Sequence, residues 1–220
     1  MSKLILFGTG QIAELASFYF EHDTDHDVVA FTVDGQFAKE PNFQGKPVIA
    51  FEEIEKSYDP DKYAMFVAVS YSGLNRVRTE KVEAAKAKGY RLATYVSSRA
   101  TIFAGFEPKE NCFILEDNTI QPFAQIGRNV TLWSGNHIGH HSVIEDNCFI
   151  ASHVVISGGV RIGDSSFIGV NATFRDHVSI GRKCVIGAGA LVLGNLDDES
   201  VVAARADEKA SIPSSRLRSI

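Results

Sequence analysis

Five of the seven histidines, His137, His140, His141, His153 and His177, fall in one stretch of the chain, and His140 and His141 are adjacent. Imidazole changes charge near neutral pH, so such residues can take up and return a proton, ligate a metal or simply face water. A second chemical signal stands near the start. Gly8-Thr9-Gly10-Gln11-Ile12-Ala13 follows a short apolar strand over 3–7. Glycines there let the backbone approach a phosphate at a helix N-terminus, and a tight strand-to-helix turn alone would use them too. Asp34 ends a second strand, where an acidic side chain meets a ribose or a base. The two together suggest a nucleotide. With no second mononucleotide-binding half in roughly a hundred residues, a dinucleotide hydride carrier is disfavoured against a nucleotide-linked small molecule.

The histidines are carried by an unusual frame. Every sixth residue from Ile114 through Ile120, Ile126, Leu132, Ile138 and on to Val192 is apolar. Neither a helix nor an ordinary strand sustains that beat. Four residues after each comes a side chain small enough or tolerant enough to point inward, among them Ala124, Val130, Cys148, Ala172 and Ala190. This is the hexapeptide repeat of a parallel β-helix, in which three repeats return the chain to its starting face. Coils then stack as a solenoid. On such a frame His141 and His177 share a column with Gly159 between them, and His153 shares one with Asn171. No two of the histidines stack directly and no cysteine faces outward, so no metal is expected. Outward His153 and His177 read equally well as solvated surface or as part of a site.

The first hundred residues have another pattern. Strands are expected over 3–7, 27–33, 64–69 and 91–96, with helices from the glycine turn to Phe20, near 52–57 and over 76–88, where Gly89 stops the last. Strands alternating with helices imply a small parallel sheet of the Rossmann type. The expected division is a Rossmann-like nucleotide-binding domain over 1–105, a left-handed parallel β-helix over 106–196 and a C-terminal tail over 197–220, with 211–218 a loop or short terminal segment. Pro108 breaks the beat at one end and Asp197-Asp198-Glu199 at the other.

Composition narrows the partners. A net charge of −5 gives no footprint for nucleic acid or an anionic membrane. No apolar run is long enough to span a bilayer, and the start has the wrong continuation for a signal peptide. Cys148 and Cys184 fall two coils apart in one inward column, too far for a disulfide. Cys112 completes the thiol inventory, and buried thiols in a reducing cytoplasm are expected.

The order of parts, a glycine-turn α/β domain followed by hexapeptide repeats, resembles the sugar acetyltransferases of the bacillosamine-pathway N-acetyltransferase and sialic-acid O-acetyltransferase family. The resemblance covers the chain to about Arg205. Ile138-Gly139-His140-His141-Ser142-Val143-Ile144 matches the family's histidine motif, and Gly158 in Ile156-Ser157-Gly158-Gly159-Val160 stands one coil on. The resemblance implies an acetyl-CoA-dependent N-acyltransferase acting on a nucleotide-linked amino-deoxy sugar in polysaccharide biosynthesis, a cytoplasmic homotrimer without a metal. His140 would be the general base and His141 its catalytic neighbour. Gly8, Gly10, Asp34 and Lys39 would hold the nucleotide-sugar, and Gly158, Val170 and Ala188 the acyl-CoA. Four departures matter. His141 replaces an acidic residue that orients the base, leaving Glu145 or Asp146 as substitutes, and Trp133 and Phe149 replace an asparagine and a histidine of the acceptor site. The loop over 70–75 lacks the family's glycine at the strand end. The alternatives are a sugar O-acetyltransferase and a solenoid that binds or scaffolds without catalysis.

Overall fold

From Phe113 to Val192 the chain forms a two-residue strand every six residues, Phe113–Ile114, Thr119–Ile120, Gln125–Ile126, Thr131–Leu132 and so on to Leu191–Val192. In this computed structural model residues 2–204 and Arg216 are described. Each strand pairs in parallel with the strand eighteen residues on, as Thr119 does with His137, Gln125 with Val143 and Thr131 with Phe149. Three flat walls result, and the solenoid is a left-handed parallel β-helix. The beat residues Ile114, Ile138, Ile150, Ile156 and Ile162 are fully buried along its axis, which is the burial that drives coil formation.

Each coil turns its corners through a residue in the left-handed backbone region. Asn129, Asn147, Asn171, His141, His153 and His177 all have φ between +55° and +61°. Asparagine tolerates that region best among non-glycines, and it is used for more than tolerance here. Asn111, Asn129 and Asn147 bond side chain to side chain at 2.9 Å, ending on Asp164 at 2.9 Å. The ladder's first member, buried Asn111, accepts the Val67 N–H at 2.8 Å and so joins the solenoid to the N-terminal sheet.

That sheet contains β1 (Ser2–Phe7), β2 (His26–Val33), β3 (Asn42–Phe43), β4 (Lys46–Ala50), β5 (Tyr63–Val67) and β6 (Arg91–Leu92), in the order β3-β4-β2-β1-β5-β6. Only the edge strand β3 is antiparallel. Alternation along β1 splits the core. Leu4 and Leu6 pack with Ala16 and Phe20 of α1 (Gln11–Asp23). Ile5 and Phe7 pack with Val82 and Ala85 of α3 (Arg76–Ala87) and with Ile54 of the short α2 (Ile54–Ser57). The Leu4 side also takes in Tyr95, Phe113 and Leu115, so one apolar cluster spans the junction. Asp23 receives the Tyr95 hydroxyl at 2.7 Å and the Ser98 hydroxyl at 2.5 Å, which lowers its carboxyl pKa to about 2.

The solenoid departs from the expected ends. The strand expected over 91–96 divides. β6 stays in the N-terminal sheet, whereas β7 (Tyr95–Val96) pairs with Phe113–Ile114 and β8 (Thr101–Ile102) with Thr119–Ile120. Two solenoid walls therefore begin before residue 106. The third wall starts later, because the beat there falls on Pro108, which has no N–H to donate. At the other end Val201–Val202 pairs with Val185–Ile186, sixteen residues back, and Leu196 bridges Ile180 at the same spacing. The last coil is two residues short, so the beat is lost while the wall continues. The segment expected as tail from residue 197 thus opens with wall structure. The loop expected over 211–218 lies, Arg216 aside, outside the described residues. Among the described residues no helix is long and apolar enough to cross a membrane.

Candidate active site

Gly8, Gly10, Asp34 and Lys39 line one cavity of about 870 Å³ with Thr9, Ser70, Tyr71 and Trp133. Gly8 has φ +129°, and a Cβ there would lie 2.7 Å from the Ala68 carbonyl oxygen, so the turn requires glycine. Gly10 caps α1 without a side-chain hydrogen bond, and no atom lies within 4 Å of where its Cβ would be. First-turn N–H groups of α1 are thus available to an anion. Lys39 is exposed at this cavity.

Asp34 is not a free carboxylate. Lys81 of α3 bonds its Oδ1 at 2.6 Å, both side chains being about a fifth exposed. Lys81 has no distinguishing sequence signal beyond falling on the same helix face as Val77 and Arg78, which also turn inward.

A second recess of about 360 Å³ adjoins the first, sharing Ile12, Tyr71 and Trp133. Val170 and Ala188 line it with Phe149 and Phe167. Tyr71 lies against both phenylalanines, with ring centroids 4.9 and 4.7 Å away, and Trp133 is 6.3 Å from Phe149. The Trp133 indole N–H is buried and has no hydrogen-bond partner among the described residues. The two positions that depart from the family's acceptor-site pattern therefore form an aromatic wall with one spare donor. The loop over 70–75 is pinned at its end, where the Asn75 amide donates to the Ser166 carbonyl at 3.3 Å.

Behind Phe149 sits Arg78, buried and, among the described residues, without a carboxylate partner. Its guanidinium donates to Thr131 Oγ1 at 3.1 Å and to the carbonyls of Asn129, Asn147 and Cys148 at 3.0–3.1 Å. Burial lowers its pKa to about 10, which still leaves it charged at neutral pH. It fastens α3 to the solenoid wall.

His140 and His141 stand elsewhere. Val170, Ala188 and Trp133 occupy the corner before the His137–Ile138 wall, whereas His140, His141 and Gly158 occupy the corner after it. One chain thus brings the residues of the glycine-turn cavity and of the Val170–Ala188 corner together but holds the histidine pair at the next edge of its triangle. The His140 backbone is clamped, its N–H donating to Gln121 Oε1 at 2.9 Å and its carbonyl accepting the Gly159 N–H at 2.9 Å. Its ring lies over Gly158, where a Cβ would meet Cε1 and Nε2 at 2.6 Å. His140 Nδ1 is 3.1 Å from His141 Nδ1. The Gly158 N–H donates to Asp176 Oδ1 at 3.0 Å.

Neither expected substitute for the missing acid reaches the pair. Glu145 bonds Arg161 and accepts the Asp164 N–H at 2.9 Å. Asp146 binds Arg128 through two guanidinium nitrogens and the backbone N–H at 2.8–3.0 Å. His153 and His177 lie over Gly135 and Gly159. Among the described residues no group of three or more histidine, cysteine, aspartate or glutamate side chains is placed to hold a metal. The cysteines are free and buried, and burial pushes the Cys112 and Cys148 thiols up to about 11 and 12.

Comparison with known proteins agrees with this frame. The bacterial transferase hexapeptide (six repeats) matches residues 123–158 and 159–194. Serine acetyltransferase of Bacillus subtilis (strain 168) is 28% identical over 172 residues, 69% of this chain and 71% of that protein. PerB from Caulobacter crescentus, solved with CoA and GDP-perosamine, superposes with a TM-score of 0.81 at 21% identity, covering 93% of this chain and 95% of its own. The acetyltransferase domain of PglB from Neisseria gonorrhoeae FA1090 gives 0.77 at 23% identity, covering 93% and 97%.

Proposed function

From a chain that carries the bacterial transferase hexapeptide repeat over residues 123–194, we propose an acyl-CoA-dependent N-acyltransferase whose acceptor is the amino group of a nucleotide-linked amino-deoxy sugar and whose donor is acetyl-CoA. The observation that carries this reading is the adjacency of two spaces. The cavity at Gly8, Gly10, Asp34 and Lys39 shares Ile12, Tyr71 and Trp133 with the recess at Val170 and Ala188. A ligand with its phosphates at the α1 N-terminus directs its sugar towards the place where an acyl donor would lie. The proteins whose structures superpose supply the parallel, since PerB was solved with both CoA and GDP-perosamine.

The chemistry needs a base. The acceptor amine loses a proton as its nitrogen attacks the thioester carbon, and His140 Nε2 takes it. A backbone N–H such as that of Gly158 polarises the carbonyl oxygen. The C–S bond breaks and CoA leaves as the thiol, with no covalent enzyme intermediate. Because the histidine pair and the sugar-side recess occupy successive corners, each site is completed by a neighbouring subunit around a threefold axis, the groove for acyl-CoA lying between Gly158 of one chain and the Val170–Ala188 corner of the next. Leu191, 62% exposed, and Val155, 39% exposed, on the wall between those corners suit that arrangement.

Thermal-shift titration with acetyl-CoA and with nucleotide-linked amino sugars tests the reading. Stabilisation by both supports it. Stabilisation by CoA alone selects an O-acetyltransferase with a free or polymer-linked acceptor, and by neither a non-catalytic solenoid. A solution mass of one chain in active enzyme overturns the trimer.

A further inference from the structure

We infer that His141 is the positioning residue for His140, a neutral hydrogen-bond acceptor standing where the resemblance expects a carboxylate, with one proton shared between the two Nδ1 atoms. This rests on His140 being the base. The contact of 3.1 Å joins rings that are nearly perpendicular, at 84°. Two N–H groups would repel there and two lone pairs would not bond, so one ring donates and the other accepts.

The direction decides competence. When His140 donates from Nδ1, its Nε2 carries the lone pair that can accept the acceptor's proton. When His141 donates, neutral His140 holds its hydrogen on Nε2 and cannot act as a base. His141 is well fixed for the accepting role. Its backbone is set at φ +59° by the coil corner, its N–H bonds the Pro122 carbonyl, and its ring lies 4.7 Å from that of Phe123.

The surroundings leave the pair to itself. The preceding coil presents Gln121, whose Oε1 is taken by the His140 N–H, and Phe123. The following coil presents Gly158 and Gly159, which have no side chains. The titratable groups beyond these are Asp176, held on the Gly158 N–H, and His177, lying over Gly159. Glu145 is engaged by Arg161. Among the described residues no carboxylate hydrogen-bonds either imidazole.

During transfer the proton from the acceptor nitrogen enters at His140 Nε2, the Nδ1–H continues to be donated to His141, and the proton leaves with the CoA thiol. The pair carries one positive charge at that stage. A second proton would put hydrogen on both Nδ1 atoms and part the rings.

Two readouts test this. Nitrogen-15 spectra of the two imidazoles in the free protein should show His140 protonated on Nδ1 and bare on Nε2. Both rings in the Nε2–H form would overturn the inference. In turnover, His141→Glu should remain active and move the acid limb up by about one pH unit or more, because an anion raises the pKa of its imidazole neighbour. His141→Phe, which keeps a ring against Phe123 but has no acceptor, should lose roughly 10-fold or more in kcat at unchanged CoA affinity. An acid limb that stays put in His141→Glu, or full kcat in His141→Phe, contradicts the role. Full activity in His140→Ala would instead remove the base reading beneath it.

Discussion

Asp176 Oδ1 accepts the Gly158 N–H at 3.0 Å, which places an exposed carboxylate on the backbone donor directly beneath the His140 ring. If that N–H polarises the thioester oxygen, the carboxylate occupies the place of the developing oxyanion and must swing aside when acyl-CoA binds. Asp176→Ala should therefore lower the KM for acyl-CoA by about 3- to 10-fold, the worth of one solvent-exposed hydrogen bond given up in the free enzyme. Initial rates over a range of acyl-CoA concentrations check this. A raised KM would mean that Asp176 instead holds the groove in shape.

The Lys81–Asp34 pair makes a separate claim on the acceptor side. Lys81 fixes one carboxylate oxygen of Asp34 and leaves the other for a ribose or base. Asp34→Ala should weaken nucleotide-sugar binding by about 10-fold, and Lys81→Met by less, since the pair is partly exposed and its Coulombic part is screened. Neither should change CoA affinity. Calorimetric titration of both ligands against both variants measures the split, and weakening of CoA alone would refute the placement of the nucleotide.

Arg78 carries the attachment of α3. Arg78→Met keeps most of the volume but strips the donors from Thr131 and from three carbonyls, two of them buried and one partly so. A loss of about 3 kcal/mol is expected, because hydrogen bonds to a charged donor are worth more than neutral ones and most of their acceptors stay buried. Scanning calorimetry should show Tm lower by roughly 10 °C. A Tm within about a degree of the parent would mean that these groups find water.

Much of this architecture is written in one-dimensional spacing. The six-residue beat determines the walls because each large aliphatic has one place to go, the axis. The glycine turn is legible because Gly8 must approach Ala68 closely. What the spacing hides is where pairing outlives it. The strand over 91–96 is one apolar run, yet Leu92 and Tyr95 join different sheets, and only the geometry of the junction separates them. Val201 rejoins the wall after a coil two residues short, a slip that alters register without altering hydrogen bonding. Arg78 reads as helix surface because its burial depends on the solenoid wall behind it. Among the site residues, Gly8, Gly10, Asp34 and Lys39 come together as their positions suggest. The partners of Asp146 and Glu145 were available in principle, since Arg128 lies one coil before Asp146 and Arg161 nearly one coil after Glu145. The His141 contact needed atomic positions, because the left-handed corner turns its ring back towards His140.

The most direct measurement is the turnover of His140→Ala with acetyl-CoA and a nucleotide-linked amino sugar, alongside its CoA affinity. Removing the base while leaving the groove should lower kcat by roughly 10²–10⁴-fold with CoA binding preserved. A residual rate above about a tenth of the parent, with CoA still bound, would contradict the role given to His140 and with it the proposed mechanism.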